Sequence, residues 1–124
     1  MALITFIVED NKTIRDNLIP TLEDLAAARV LGTAETESDA VEWLRSHDGG
    51  WDVAVVDLFL KEGSGLGVLR GCRKRQAHQR VILLTNYATD EIRAQAMALG
   101  ADAVFDKSTE LERLLSFMRA LRPD

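Results

Sequence analysis

Leu3-Ile4-Thr5-Phe6-Ile7-Val8 is an unbroken run of β-prone residues that stops at Glu9-Asp10-Asn11. A strand with one wet face alternates apolar and polar side chains. A run without alternation reads as a parallel strand covered on both faces. Ile14, Leu18, Leu22 and Leu25 follow at helical spacing, so the chain opens with a buried strand leading into an amphipathic helix. Pro20 lies inside that pattern on the side away from Leu18, so the kink it imposes would face solvent.

The same unit recurs. Residues 30–34, 51–56, 80–84 and 101–105 read as four further strands. Ser38 is expected to cap a second helix carrying Ala40, Val41 and Leu44, with Trp43 alongside. Gly63-Ser64-Gly65 reads as a flexible loop ahead of a third helix with Leu66, Val68, Leu69 and Cys72. Asp90 is expected to cap a fourth helix with Ile92, Ala96, Met97 and Leu99, closed by Gly100. Residues 110–121 form a fifth, with Leu111, Leu114, Leu115, Met118 and Leu121 on one face. Five strand–helix units imply an α/β fold, a parallel sheet with helices on both faces.

With 124 residues, 47% apolar and 28% charged, the chain reads as one domain over residues 1–124 with a core of its own. Twenty acidic against fifteen basic residues leave a net charge of −5, which does not advertise a nucleic-acid or membrane surface. Cys72 is the single cysteine, so an internal disulfide framework and a multi-cysteine zinc site are excluded. That fits a reducing, cytoplasmic setting. The stretch from Met1 to Glu9 has no basic segment of the signal-peptide kind, and no membrane span is expected. No nucleic-acid-reading unit follows Leu121, and the chain ends at Pro123-Asp124.

In open parallel sheets, ligands bind beyond the carboxyl ends of the strands. The first strand ends in Glu9-Asp10, the third in Asp57, the fourth in Thr85, and Lys107 follows the fifth. Taken singly, each has a bland reading: an acidic helix cap, a loop aspartate, a turn hydroxyl, a solvated lysine. Together they make a set. Three neighbouring carboxylates repel unless a cation neutralises them, and hard oxygen donors suit Mg²⁺. An aspartate can also take a phosphoryl group as an aspartyl phosphate, while a lysine and a hydroxyl donate to the transferred oxygens.

On these residues, with Gly65 in the loop after Asp57 and Gly100-Ala101 leading to Lys107, the chain resembles the receiver domain of bacterial two-component response regulators. The resemblance implies a flavodoxin-like sheet of order 2-1-3-4-5. It implies that Asp57 accepts a phosphoryl group from a histidine kinase or phosphotransfer protein. It further implies that Asp10 binds Mg²⁺ directly, Glu9 acts through water, Asp57 joins them, and the backbone carbonyl of Phe59 is a further ligand. Thr85 and Lys107 would reach the phosphoryl oxygens. Output would pass to a downstream protein or to an output domain absent from this chain. The fourth helix, fifth strand and fifth helix would offer a homodimer surface. Such a domain is a signalling switch, catalysing only its own phosphorylation and dephosphorylation. Its rivals are a phosphate-independent interaction module and a Mg²⁺-dependent phosphohydrolase; against the latter, Phe59 stands where a haloacid dehalogenase-type site carries a second aspartate.

The sequence departs from the family at three places. Val104 replaces a frequent aromatic residue, and its neighbour Phe105 points to the opposite face. Ser108 replaces a frequent proline, so a trans bond is expected. Lys61 replaces another, so its loop is expected to be more mobile. Elsewhere, Arg70, Arg73, Lys74, Arg75 and Arg80 read as a solvated basic face, His47 and His78 as surface residues, and Cys72 as core. With Val104 unable to report the switch by an aromatic swing, Tyr87, two residues past Thr85, is the expected reporter. Tyr87→Ala should alter affinity for the downstream partner in at least one phosphorylation state; a binding titration unchanged in both states would end that idea.

Overall fold

Five strands alternate with five helices in the computed structural model, which describes residues 2–121; the expected chain end at Pro123-Asp124 lies outside them. The order is β1 (Leu3–Val8), α1 (Lys12–Leu25), β2 (Ala28–Ala34), α2 (Glu37–Ser46), β3 (Val53–Val56), α3 (Gly65–Gly71), β4 (Arg80–Thr85), α4 (Asp90–Ala98), β5 (Ala103–Asp106) and α5 (Leu111–Leu121). The strands form one parallel sheet in the order β2-β1-β3-β4-β5. This is the doubly wound, flavodoxin-like arrangement expected. Among the described residues, no helix is long and apolar enough to cross a membrane.

Alternation along each central strand feeds two cores. Ile7, Val55, Ile82 and Leu84 pack with Leu18 and Leu22 of α1 and Leu114, Leu115 and Met118 of α5. Phe6, Val8, Ala54, Val56, Val81 and Leu83 pack on the other face with Ala40 and Leu44 of α2, Val68 and Leu69 of α3, and Ala96 of α4. Every residue of β3 is buried, because both sheet faces are covered there. Pro20 is exposed and α1 continues through it.

A register shift lies in β2. Thr5 pairs with Val30 and Phe6 with Gly32, so Leu31 is skipped. One extra residue flips the strand's faces: Ala28 and Val30 pack towards α1, whereas Ala34 packs towards α2. At Gly32 a Cβ would lie 2.8 Å from the Trp43 indole nitrogen. The glycine thus leaves room for Trp43 to stack on Phe6 (4.1 Å between ring centroids) and for His47 to stack on Trp43 (3.8 Å).

Several local expectations are corrected. Thr36, not Ser38, caps α2, accepting the Asp39 N–H at 3.1 Å. Thr89, not Asp90, caps α4, accepting the Ile92 N–H at 3.1 Å. In both helices a hydroxyl lies just outside and the acids fall in the first turn, where the helix dipole favours them. Gly63-Ser64-Gly65 is structured: Ser64 caps α3 through the Gly67 N–H (3.2 Å), and its own N–H is held by Glu37 at 3.0 Å. The strand β5 starts at Ala103 rather than residue 101. Gly100 (φ 101°) and Ala101 are instead used to close α4, donating to Met97 and Ala96 in a Schellman motif. The strand β2 starts earlier than expected, at Ala28, and β3 later, at Val53. Leu25 and Met97 sit half out in solvent rather than in the core. No cis peptide bond occurs among the described residues.

Gly65 is required by packing. A Cβ there would lie 2.2 Å from the Asp57 carbonyl oxygen, a backbone atom that cannot step aside. Gly65→Ala should therefore cost about 2–3 kcal/mol of stability, read as a lowered urea midpoint with an unchanged m-value.

Candidate functional site

The hydrogen-bond ladder of the sheet runs on past the strand ends and holds the site residues in register. Glu9 N–H donates to Ala34 (2.9 Å), Asp57 N–H to Val8 (2.9 Å) and Lys107 N–H to Thr85 (3.0 Å). The carboxylates of Glu9, Asp10 and Asp57 thereby converge, each offering an oxygen within 4.8 Å of the others. Lys107 reaches into the same crevice, its Nζ 2.5 Å from Glu9 Oε1 and 3.2 Å from Asp57 Oδ2. Its aliphatic stem lines an apolar groove of about 250 Å³ with Ile14, Leu18, Leu84 and Leu111, which leaves the ammonium to point at the acids.

Glu9 is 2% exposed and is held on both sides of its chain. Its Oε2 accepts the Asn11 N–H at 3.2 Å, and its carbonyl accepts from Arg15 Nη1 at 2.7 Å. Asp57 Oδ1 accepts the N–H of Leu58 at 2.8 Å, so its other oxygen faces Lys107. Burial pushes the Asp10 carboxyl above the usual aspartate range, and a hydrogen bond to Glu9 together with its like charge add to that push. Three carboxylates against one ammonium leave the crevice short of positive charge. Hard oxygen donors at this separation fit a divalent cation bound with several of its waters.

Thr85 is fully buried, and its Oγ1 accepts the N–H of Tyr87 at 3.2 Å, within its own loop rather than from Lys107. Phe59 and Tyr87 stand at the rim, each 56% exposed, with rings edge to face at 4.7 Å. Val104 is buried and Phe105 packs half-buried against Phe117 on the opposite face of the sheet. The loop carrying Lys61 is tied to its neighbour, with Lys61 N–H donating to Glu35 at 3.2 Å. Ser108 Oγ donates to Asn86 Oδ1 at 2.8 Å.

Arg15 and Asn11 are parts of the site that the residue pattern did not single out. Asn11 caps α1 through the Ile14 N–H at 3.0 Å. Arg15 joins the first and second loops, touching Glu35 at 3.6 Å as well as the Glu9 carbonyl. The strand-end rule draws attention to loop residues, whereas Arg15 arrives from a helix. Of the basic cluster, Arg75 is not on a common face: it turns inward to Asp102 and the Gly100 carbonyl, both at 2.7 Å. His78 is a half-exposed neighbour of Asp52 at 3.7 Å, and Cys72 is buried.

Residues 5–119 match the family model of the response regulator receiver domain. The chain is similar to the response regulator UvrY of Escherichia coli (strain K12), 27% identical over 115 residues covering 93% of this chain and 52% of that protein. It is likewise similar to the transcriptional regulatory protein PhoP of the same strain, 29% identical over 115 residues, 93% of this chain and 50% of that one. The chain thus spans about half the length of the curated relatives it matches. A response regulator from Burkholderia pseudomallei, solved with a phosphorylated aspartic acid, calcium ion and citrate, superposes with a TM-score of 0.79 at 25% identity, covering 92% of this chain and 65% of that one.

The strain within the acidic trio yields a prediction with opposite signs in two conditions. Without metal, Asp10→Asn relieves repulsion and should raise the melting temperature by a few degrees. With millimolar divalent cation, the unmodified chain should gain stability by mass action and Asp10→Asn should not. Paired thermal melts with and without the cation check both arms.

Proposed function

Because this chain belongs to the response regulator receiver domain family, we propose that it is a phosphorylation-driven switch with Asp57 as the phosphoacceptor. The observation that supports this reading most is the meeting of Asp57 with Glu9 and Asp10 within 4.8 Å and with Lys107 at 3.2 Å. A carboxylate so placed has a cation site beside it and an ammonium ready for the charge that arrives.

Receiver domains are signalling domains that bind a divalent metal at an acidic pocket, and we take Mg²⁺ as the metal here. Asp10 and Asp57 would hold it directly, with the Phe59 carbonyl, and Glu9 would act through water. When bound, Mg²⁺ neutralises charge on the transferring phosphoryl oxygens. An Asp57 oxygen forms its bond to phosphorus as the P–N bond of a donor phosphohistidine breaks, the electron pair leaving on the imidazole nitrogen. The donor would be a histidine kinase or a phosphotransfer protein. Lys107 exchanges part of its contact with Glu9 and Asp57 for a phosphoryl oxygen, and the Thr85 hydroxyl donates to another. The aspartyl phosphate carries nearly two negative charges where the carboxylate carried one, and these two donors draw their loops towards it. Chemistry by the chain is confined to gaining and losing its own phosphoryl group.

Output passes through protein contact, to a downstream partner or to an output domain outside this chain, in the cytoplasm and without direct contact to nucleic acid or membrane. The face of α4, β5 and α5 is the candidate homodimer surface, and Tyr87 at the rim is a candidate reporter of the state. A phosphohydrolase and a phosphate-independent module are not favoured.

Intact-protein mass after incubation with Mg²⁺ and acetyl phosphate tests the reading. A single phosphoryl adduct is expected, absent with EDTA and absent in Asp57→Asn. An adduct that persists in Asp57→Asn would move the acceptor elsewhere, and no adduct from any donor would remove the switch.

A further inference from the structure

The loops that carry Thr85 and Lys107 are bound together by a side chain that lies outside the acidic crevice. Arg93, four residues into α4, donates from Nε to the Ala88 carbonyl at 3.0 Å and from Nη1 to the Val104 carbonyl at 3.0 Å. Its Nη2 pairs with Glu110 Oε1 at 2.6 Å. The same Glu110 oxygen accepts the N–H of Asp106 at 2.8 Å. One planar cation therefore joins three pieces of backbone: the loop three residues past Thr85, the middle of β5, and, through Glu110, the residue before Lys107. Ser108 to Asn86 (2.8 Å) is a second tie between the same two loops.

The geometry has a mechanical consequence. A guanidinium presents its donors in a fixed fork, and hydrogen bonds weaken steeply as they bend. The Ala88 carbonyl cannot move relative to Val104 and Glu110 while all three bonds survive. Glu110 is 16% exposed and Arg93 36%, so the pair is partly shielded from water and its charge-assisted bonds count for more than a fully exposed pair. The Arg93 guanidinium holds the Glu110 carboxyl below its usual range. Val104, whose carbonyl the fork holds, is itself buried.

We propose that Arg93, held by Glu110, is the positioning residue that couples the loops of Thr85 and Lys107 to the outer face of α4, β5 and α5. It holds the two loops in register while Asp57 is unmodified. Convergence of Thr85 and Lys107 on a phosphoryl group displaces the Ala88 carbonyl and breaks the fork, which releases the N-terminal turn of α4. A small shift at the site becomes a discrete change at the surface because the fork is either made or broken. This inference rests on Asp57 being the phosphoacceptor.

Hydrogen-exchange mass spectrometry on the whole chain, with Mg²⁺ and with or without acetyl phosphate, tests it alongside intact mass on the same samples. In the unmodified chain, phosphorylation should change exchange in residues 86–98 and 104–111. In Arg93→Met the adduct should form in full, exchange in these segments should already be about tenfold faster without phosphate, and the phosphorylation-dependent change should be lost. Glu110→Gln should shift both readouts in the same direction by a smaller amount, and it decides the matter if Arg93→Met does not fold. Arg93→Lys should restore only part of the response, since an ammonium lacks the planar fork. Full adduct with a response of unmodified size in both Arg93→Met and Glu110→Gln would overturn the proposal. So would an adduct on the unmodified chain without an exchange change in these segments. Absence of any adduct on the unmodified chain would instead bring down the phosphoacceptor reading, and this inference with it.

Discussion

The ammonium of Lys107 among the carboxylates of Glu9 and Asp57 is the contact on which the functional end of the molecule depends. Three acids cannot share a crevice this small without a counter-charge, and Lys107 supplies the part of it that the chain itself can offer. Its partner Glu9 lies 98 residues away in sequence and is nearly inaccessible to water. Removing the lysine would leave a buried carboxylate uncompensated, a loss of about 3–5 kcal/mol for pairs of this kind. The balance is incomplete: one ammonium stands against three acids, a deficit of positive charge that a divalent cation fits.

Everything that brings those groups together is ordinary packing. Two cores, one on each face of the sheet, fix the strands, and the ladder continues one residue past β1 and β3 to deliver Glu9 and Asp57 on adjacent backbones. The approach of α3 to the Asp57 carbonyl is closed by Gly65, so the Asp57 backbone is confined by α3 as well as by its neighbouring strand. On the other side of the crevice Thr85 closes β4 and Lys107 follows β5, and the loops beyond them are tied by side chains as well as by the ladder. Side-chain ties of that kind can open without loss of the fold, which places the capacity for change next to the site and away from the core.

Much of this was legible from residue order. Continuous apolar runs ending in Glu9-Asp10, Asp57 and Thr85 pointed to the strands and the candidate site alike, because a strand buried on both faces carries few polar residues before its carboxyl end. What was misread was local and competitive. Ser38 and Asp90 are good caps by type, yet Thr36 and Thr89 stand one step outside the true first turns. Gly63-Ser64-Gly65 has the composition of a loose loop, yet Ser64 and Glu37 spend its polar groups on the start of α3. Met97 and Leu25 share the helical spacing of core residues and are left half in water because no neighbouring element extends over them.

The sequence by itself determined the five strand–helix units, the doubly wound order implied by its resemblance, and the identities of the acids, hydroxyl and lysine at the strand ends. The units and the site residue types follow from period and chemical type, which are properties of each segment, whereas the strand order came with the resemblance. Only the tertiary structure decided that Lys107 leans on Glu9 more closely than on Asp57, that Leu31 is skipped in the register of β2, that Arg15 braces the Glu9 carbonyl, and that Arg93 and Glu110 tie the segment after Thr85 to the one before Lys107. Each is a contact between segments distant along the chain. Its existence depends on the relative placement of elements, and no local pattern encodes a distance between two loops.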